Sequence, residues 1–210
     1  MKHYHPHRND QGKLVELKVP SQPTPMPCWT NPSQIATVIP GGEVPDILNG
    51  IELRTWTAPA DPAGWEAQAG LDADRFTEPP MTHSPGRSAA SGAVVLEKDG
   101  RVWVVSPSNM FGGYVNTFPK GKLDSDLTLR ANALKESYEE TGLQVALTGF
   151  LCDSVRSTSV TRYYIAQRLA GHPGSMGWET QAVHLVPRAQ LAHFVSHPND
   201  VAVLQALQAL

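Results

Sequence analysis

Residues 135–143 read KESYEETGL, and they constrain the fold more than any other stretch of the 210-residue chain. Leu127, Ala131, Leu134 and Tyr138 recur at i, i+4, i+7 and i+11 ahead of Gly142, the spacing of one buried stripe on an α-helix. The pattern predicts a helix from about Leu127 to Thr141. Ser125, Asp126 or Thr128 suits its N-cap, and Gly142 suits the left-handed residue that ends it. On such a helix Glu136 faces both Glu139 and Glu140. Each like-charge pair costs about 0.2–0.5 kcal/mol, and the negative end of the helix dipole adds to that cost. Stability alone does not select this arrangement. The glutamates by themselves fit either a solvated acidic helix end or a site for a hard divalent cation, since Mg²⁺ prefers carboxylate and water oxygens.

The surrounding sequence is regular. GAVVLEKDGRVWVVS (92–106) holds two β-rich runs around Asp99-Gly100, a pair that favours a two-residue hairpin turn. Residues 108–122 read as a glycine-containing loop. Residues 143–153, 160–169 and 180–188 read as strands, 188–195 as a short helix, and the last eleven residues as a helix packing through Val201, Leu204 and Leu207. Interleaved strands and helices predict an α/β (α+β) fold. Upstream of residue 87 the character changes. Thirteen of the 18 prolines lie there, and proline removes a backbone donor and fixes φ. Residues 1–35 are expected to form an irregular or partly disordered arm, 36–57 two short strands, and 62–72 a short helix with Pro62 in its first turn. The expected division is therefore a Pro-rich, Trp-containing extension, 1–87, followed by a regular domain, 88–210. Trp29, Trp56 and Trp65 must be covered somehow: by intrachain packing, by a substrate base, or by a homodimer sealed through the extension.

Composition narrows the function. A net charge of −3 and a hydrophobic fraction of 40% suit a globular core and lack the basic excess of a nucleic-acid binder. Cys28 and Cys152 make neither a disulfide framework nor a cysteine-rich zinc site. No apolar run is long enough to span a membrane, and the polar MKHYHPHRND start is unlike a signal peptide, so a cytoplasmic location is expected. His3, His5 and His7 form an H-x-H-x-H run that in a disordered arm is ordinarily solvated.

The stretch 121–143 resembles the Nudix box of the Nudix hydrolases, G-x5-E-x7-R-E-U-x-E-E-x-G-U with U a bulky aliphatic residue. Gly121, Glu136, Glu139, Glu140, Gly142 and Leu143 match it, while Leu127, Lys135 and Ser137 replace its first glutamate, its arginine and its first U. The resemblance extends loosely over 88–210 and implies an α/β/α sandwich with a mixed central sheet. It further implies hydrolysis of a diphosphate linkage in a nucleoside diphosphate joined to a group X, or in a related polyphosphorylated small molecule. Gly121, Glu136, Glu139 and Glu140 would hold Mg²⁺ or Mn²⁺; Glu139, Glu140 and the loop residue Glu179 would serve catalysis, Glu179 or a helix glutamate as general base. Lys120, Lys122, Arg156 and Arg162 would meet the phosphates. Tyr163 and Tyr164 alternate faces of their strand, so only one of them can point toward a ligand. The first glutamate and the arginine brace the loop in the family. Their replacement leaves a second option, a catalytically weakened ligand-binding or regulatory module, with Asp124 or Asp126 as substitutes for the missing charge.

Overall fold

The computed structural model describes residues 2–81 and 84–210. The chain opens with a small hairpin, β1 (His3–Tyr4) and β2 (Glu16–Leu17). Next come α1 (Pro27–Thr30), β3 (Ala36–Val38), a second small hairpin of β4 (Ile47–Leu48) and β5 (Ile51–Glu52), and α2 (Pro62–Gly70). The regular part comprises β6 (Ser88–Leu96), β7 (Arg101–Pro107), β8 (Lys120–Lys122), α3 (Leu129–Thr141), β9 (Leu143–Val155), β10 (Ser159–Gly171), β11 (Thr180–Pro187), α4 (Leu191–Phe194) and α5 (Val201–Gln208).

Seven strands form the central sheet in the order β3-β11-β7-β6-β10-β9, with β8 added to β6. The pair β6–β10 is parallel and the others are antiparallel, so the sheet is mixed. Alternate residues on a strand face opposite sides, and both sides are covered. Val95, Trp103, Tyr164 and Val183 pack with Trp65 of α2 and Leu134 of α3. Val94, Val102, Tyr163 and Val186 pack with Leu191, Val203 and Leu207 of α4 and α5. This is the expected α/β/α sandwich.

Three local expectations need revision. The turn at Asp99-Gly100 is a three-residue loop, closed by Glu97 N–H donating to Arg101 O at 2.9 Å. Gly100 takes φ 86° but Asp99 does not go positive, so the turn is neither of the favoured two-residue types, both of which require positive φ at the first position. Helix α5 buries Val203 and Leu207 and leaves Val201 exposed; the inward stripe starts two residues later than expected. Residues 2–35 are not an irregular arm throughout. Asn109 fastens the first hairpin, donating from Nδ2 to Glu16 O at 2.9 Å and accepting at Oδ1 from Lys18 N–H at 2.8 Å.

The extension shares the core. β3 pairs with β11 on the central sheet. Trp29 packs on Trp103, and Trp56 and Trp65 pack on Tyr138 with ring centroids 5.3 and 6.2 Å away. Glu66 of α2 accepts from the backbone N–H and hydroxyl of Thr128, the N-cap of α3. Glu78 accepts from Arg130, Arg162 and Tyr164. Intrachain packing therefore accounts for the three tryptophans. Trp65→Ala is predicted to cost about 3–5 kcal/mol in urea unfolding. Circular dichroism and tryptophan fluorescence should report one coincident transition.

Candidate active site

Gly92 of β6 is the first positioning element. A Cβ there would overlap Pro119 O and the Lys120 backbone, so only glycine lets β8 close on β6. β8 then runs beneath α3. A Cβ at Gly121 would overlap the Glu136 carboxylate, which shows how closely that side chain lies on the strand. Glu140 reaches the same strand, its Oε2 accepting from Lys120 N–H at 3.0 Å. Asn132, fully buried, ties helix to loop: its Oδ1 accepts from Asp124 N–H and its Nδ2 donates to Ser91 Oγ. Gly142 ends α3 at φ 70° as expected. Its neighbour in space, Gly177, donates N–H to Glu139 O at 2.7 Å, bringing the loop that bears Glu179 to the helix end.

A cavity of about 460 Å³ opens beside this arrangement. Lys135, Glu136, Tyr138 and Glu139 form one wall, and Ser175, Gly177, Trp178 and Glu179 another. The first hairpin supplies a third through His7 and Asp10. Trp178 Nε1 donates to Asp10 Oδ1 at 3.0 Å.

The electrostatics are those of crowded carboxylates. Burial, then the charges of Glu140 and Glu139, push Glu136 up to about 9, with Lys135 opposing. Burial pushes Glu140 up to about 7, against the pull of Lys120. Glu179 is raised by partial burial, then by Asp10 and Glu139. Such groups accept protons readily or, equally, welcome a cation that replaces them.

The residues fit a hard divalent ion: the donors are all oxygen, two carboxylates lie against the β8 backbone, and Gly121 leaves room for them. Among the described residues no group of three or more His, Cys, Asp or Glu side chains already stands in ligating array. Glu139 is drawn instead to Lys135 at 2.7 Å. Lys135 also meets Asp124 at 3.2 Å, so the brace expected from a Glu–Arg pair is made here by a Lys–Asp pair. Leu127 is buried in the core, and Ser137, also buried, donates to Ala133 O.

The remaining expected site residues divide. Lys120 stands close enough to offset the charge of Glu140 and lies 4.9 Å over the Tyr114 ring. Lys122 is exposed and outside the cavity lining. The two arginines are corrected to structural roles. Arg156 is buried against Asp200, Tyr114 and Tyr163, and Arg162 is held bidentately by Asp153 and by Glu78. Tyr163 and Tyr164 are both fully buried, so neither faces a ligand. Sequence reasoning missed Asn132, Gly92, Gly177 and the hairpin wall. Asp124, by contrast, was one of the two expected substitutes for the missing charge, and it is the one that meets Lys135.

A fold of this kind around a carboxylate helix defines a class, and a Nudix domain model matches residues 86–207. The chain belongs to the Nudix family, and with it to the hydrolases of acid anhydrides. No curated protein matches its sequence. Among solved structures it is similar to a Nudix hydrolase from Nitrosomonas europaea, at 18% identity over 61% of this chain and 74% of that one, TM-score 0.50. It is also similar to a Caenorhabditis elegans Ap4A hydrolase, at 17% identity over 58% and 96% of the two chains, TM-score 0.49. At these identities the likeness concerns the fold alone. Among the described residues no helix is long and apolar enough to cross a membrane.

The raised carboxylates set a pH dependence. Folded Glu136 keeps its proton up to about 9, whereas an unperturbed glutamate releases it near 4.5. The metal-free fold is therefore predicted to lose stability as pH rises through that window. A cation that takes the proton's place reverses the loss, so the Tm gain from Mg²⁺ over EDTA should be larger at about pH 9 than at about pH 6. Equal gains at both would contradict a cation bound at Glu136.

Proposed function

We propose that this chain is a metal-dependent pyrophosphohydrolase, cleaving the diphosphate of a nucleoside diphosphate-X or a related phosphorylated small molecule. The observation carrying the proposal is the seating of buried Glu136 and Glu140 on the β8 backbone, beside a cavity that also receives Glu139 and Glu179. Glu136, Glu139, Glu140 and the Gly121 carbonyl would hold Mg²⁺ or Mn²⁺. When bound, such an ion supplies charge neutralisation at the diphosphate and acidifies the attacking water.

The chain's own residues do the rest. Glu179, made more basic by burial and then by Asp10 and Glu139, takes the proton as water attacks one phosphorus. The bond from that phosphorus to the bridging oxygen breaks, and its electron pair leaves with the other phosphate. Lys120 offsets charge beside Glu140. To help hold such an ion, Glu139 would give up its pairing with Lys135. That pair is half-exposed at Glu139, so breaking it costs no more than about 1 kcal/mol.

The same Lys135–Glu139 contact favours the second reading, a binding module with weakened catalysis. The two are separated by mass-resolved assay of ADP-ribose, dinucleoside polyphosphates, deoxynucleoside triphosphates and diphosphoinositols with Mg²⁺ or Mn²⁺. Metal-dependent turnover is expected, and Glu139→Gln or Glu140→Gln should each lower kcat at least about tenfold, or ~1.4 kcal/mol of barrier. Full turnover in both variants would remove the metal site from this helix. Tight binding with no product from any compound would establish the binding module.

A further inference from the structure

The cavity's third wall comes from a part of the chain outside the matched family region. Residues 5–13 fold as a built loop. His5 is buried, and its N–H donates to Val15 O. Asn9 Oδ1 accepts from the N–H groups of Gln11 and Lys13, and Gly12 turns at φ 71°. Asn109 pins the base of the hairpin, itself at φ 56°, a left-handed conformation uncommon outside glycine. Gln181 Nε2 adds a bond to Val19 O. The tip is thereby presented over the cavity, where Trp178 fixes the orientation of Asp10 through one carboxylate oxygen. Among the described residues Asp10 makes no ion pair, so its charge is not cancelled within the hairpin.

The chemistry of this wall differs from that of a phosphate site. It offers a carboxylate and an imidazole, and neither lysine nor arginine is on it. Lys2 is paired with Glu16, Arg8 donates to Gly12 O, and the exposed Lys13 lies outside the cavity lining. A further phosphate reaching this wall would meet Asp10 and Glu179 with like charge, whereas a hydroxyl would find an acceptor. Charge-assisted hydrogen bonds of this kind are the stronger ones, and repulsion of a competitor is as good a source of selectivity as attraction.

We propose that the N-terminal hairpin is the specificity wall of the substrate cavity. Asp10 accepts hydrogen bonds from an uncharged, hydroxyl-bearing group X and discriminates against an extended phosphate chain. This rests on the diphosphate hydrolysis proposed above and names the class of X. Asp10 is a specificity-determining residue, and Trp178 positions it.

The test compares ADP-ribose with diadenosine tetraphosphate, which share the adenosine, for the wild type, Asp10→Asn and Trp178→Phe in the full chain. Wild-type kcat/KM should favour ADP-ribose. Asp10→Asn keeps an oxygen for Trp178 and should shift the ratio about tenfold toward the tetraphosphate, with most of the loss on ADP-ribose in KM. Trp178→Phe should move the ratio in the same direction. A wild type that prefers the tetraphosphate, or a ratio that neither variant moves, overturns the proposal and leaves the hydrolysis intact. If neither compound turns over, and the wider panel above also yields no product, it is the hydrolysis that fails. Calorimetric binding of the same two compounds then decides the wall by the same ratio: a shift with Asp10→Asn sustains it, and no shift overturns it.

Discussion

Two carboxylates pressed against a strand backbone organise this molecule. Glu136 and Glu140 reach β8 only because Gly121 has no side chain and Gly92 lets the strand approach β6. The close approach is then locked from the flank by Asn132, which satisfies a loop N–H and a β6 hydroxyl at once. Taking carboxylates out of water costs more than their hydrogen bonds return unless they are neutralised. Protons do so in the metal-free fold, up to about pH 9 at Glu136 and about pH 7 at Glu140, and in the proposed function a divalent ion would take their place. The neighbouring loop is stitched to the helix end by Gly177, which brings Glu179 to the wall of the same cavity.

The departures from the family's box become intelligible in the same terms. Leu127 replaces a charged brace with a buried side chain, a contribution of about 1.5–3 kcal/mol on full burial. The surface ion pair it supplants ordinarily contributes about 0–1 kcal/mol. Lys135 is left without its usual partner, and Asp124 from the loop supplies one. Restoring Leu127→Glu would therefore place a carboxylate in the core, so it is a poor probe of lost activity. The bracing function has moved from the helix's own face to a contact across the loop.

Much of this was legible in the primary structure because it depends on local spacing. The i, i+4, i+7 stripe gave α3, Thr128 was among the expected caps, and Gly142 ended the helix. The β-rich runs located the main strands, and the family resemblance supplied the expectation of a sheet covered on both faces. What escaped depends on distant partners. Arg156 and Arg162 look like phosphate ligands in a linear sequence, but carboxylates 44 and 9 residues away claim them. Asp10 lies 168 residues from Trp178, and no periodicity links them. Prolines correctly predicted short elements in the extension. They said nothing of where the tryptophans would pack, which is settled by Trp103 and Tyr138 of the regular part of the chain.

Proton release on metal binding probes the exchange at Glu136 and Glu140 without reference to any substrate. Mn²⁺ titrated into the full chain at about pH 7.5, in buffers of different ionisation enthalpy, should liberate about one proton or more per ion bound, and Glu136→Gln should reduce that release. Binding of Mn²⁺ with no proton released, or with release unchanged in Glu136→Gln, would show that the buried carboxylates are not the groups the ion neutralises.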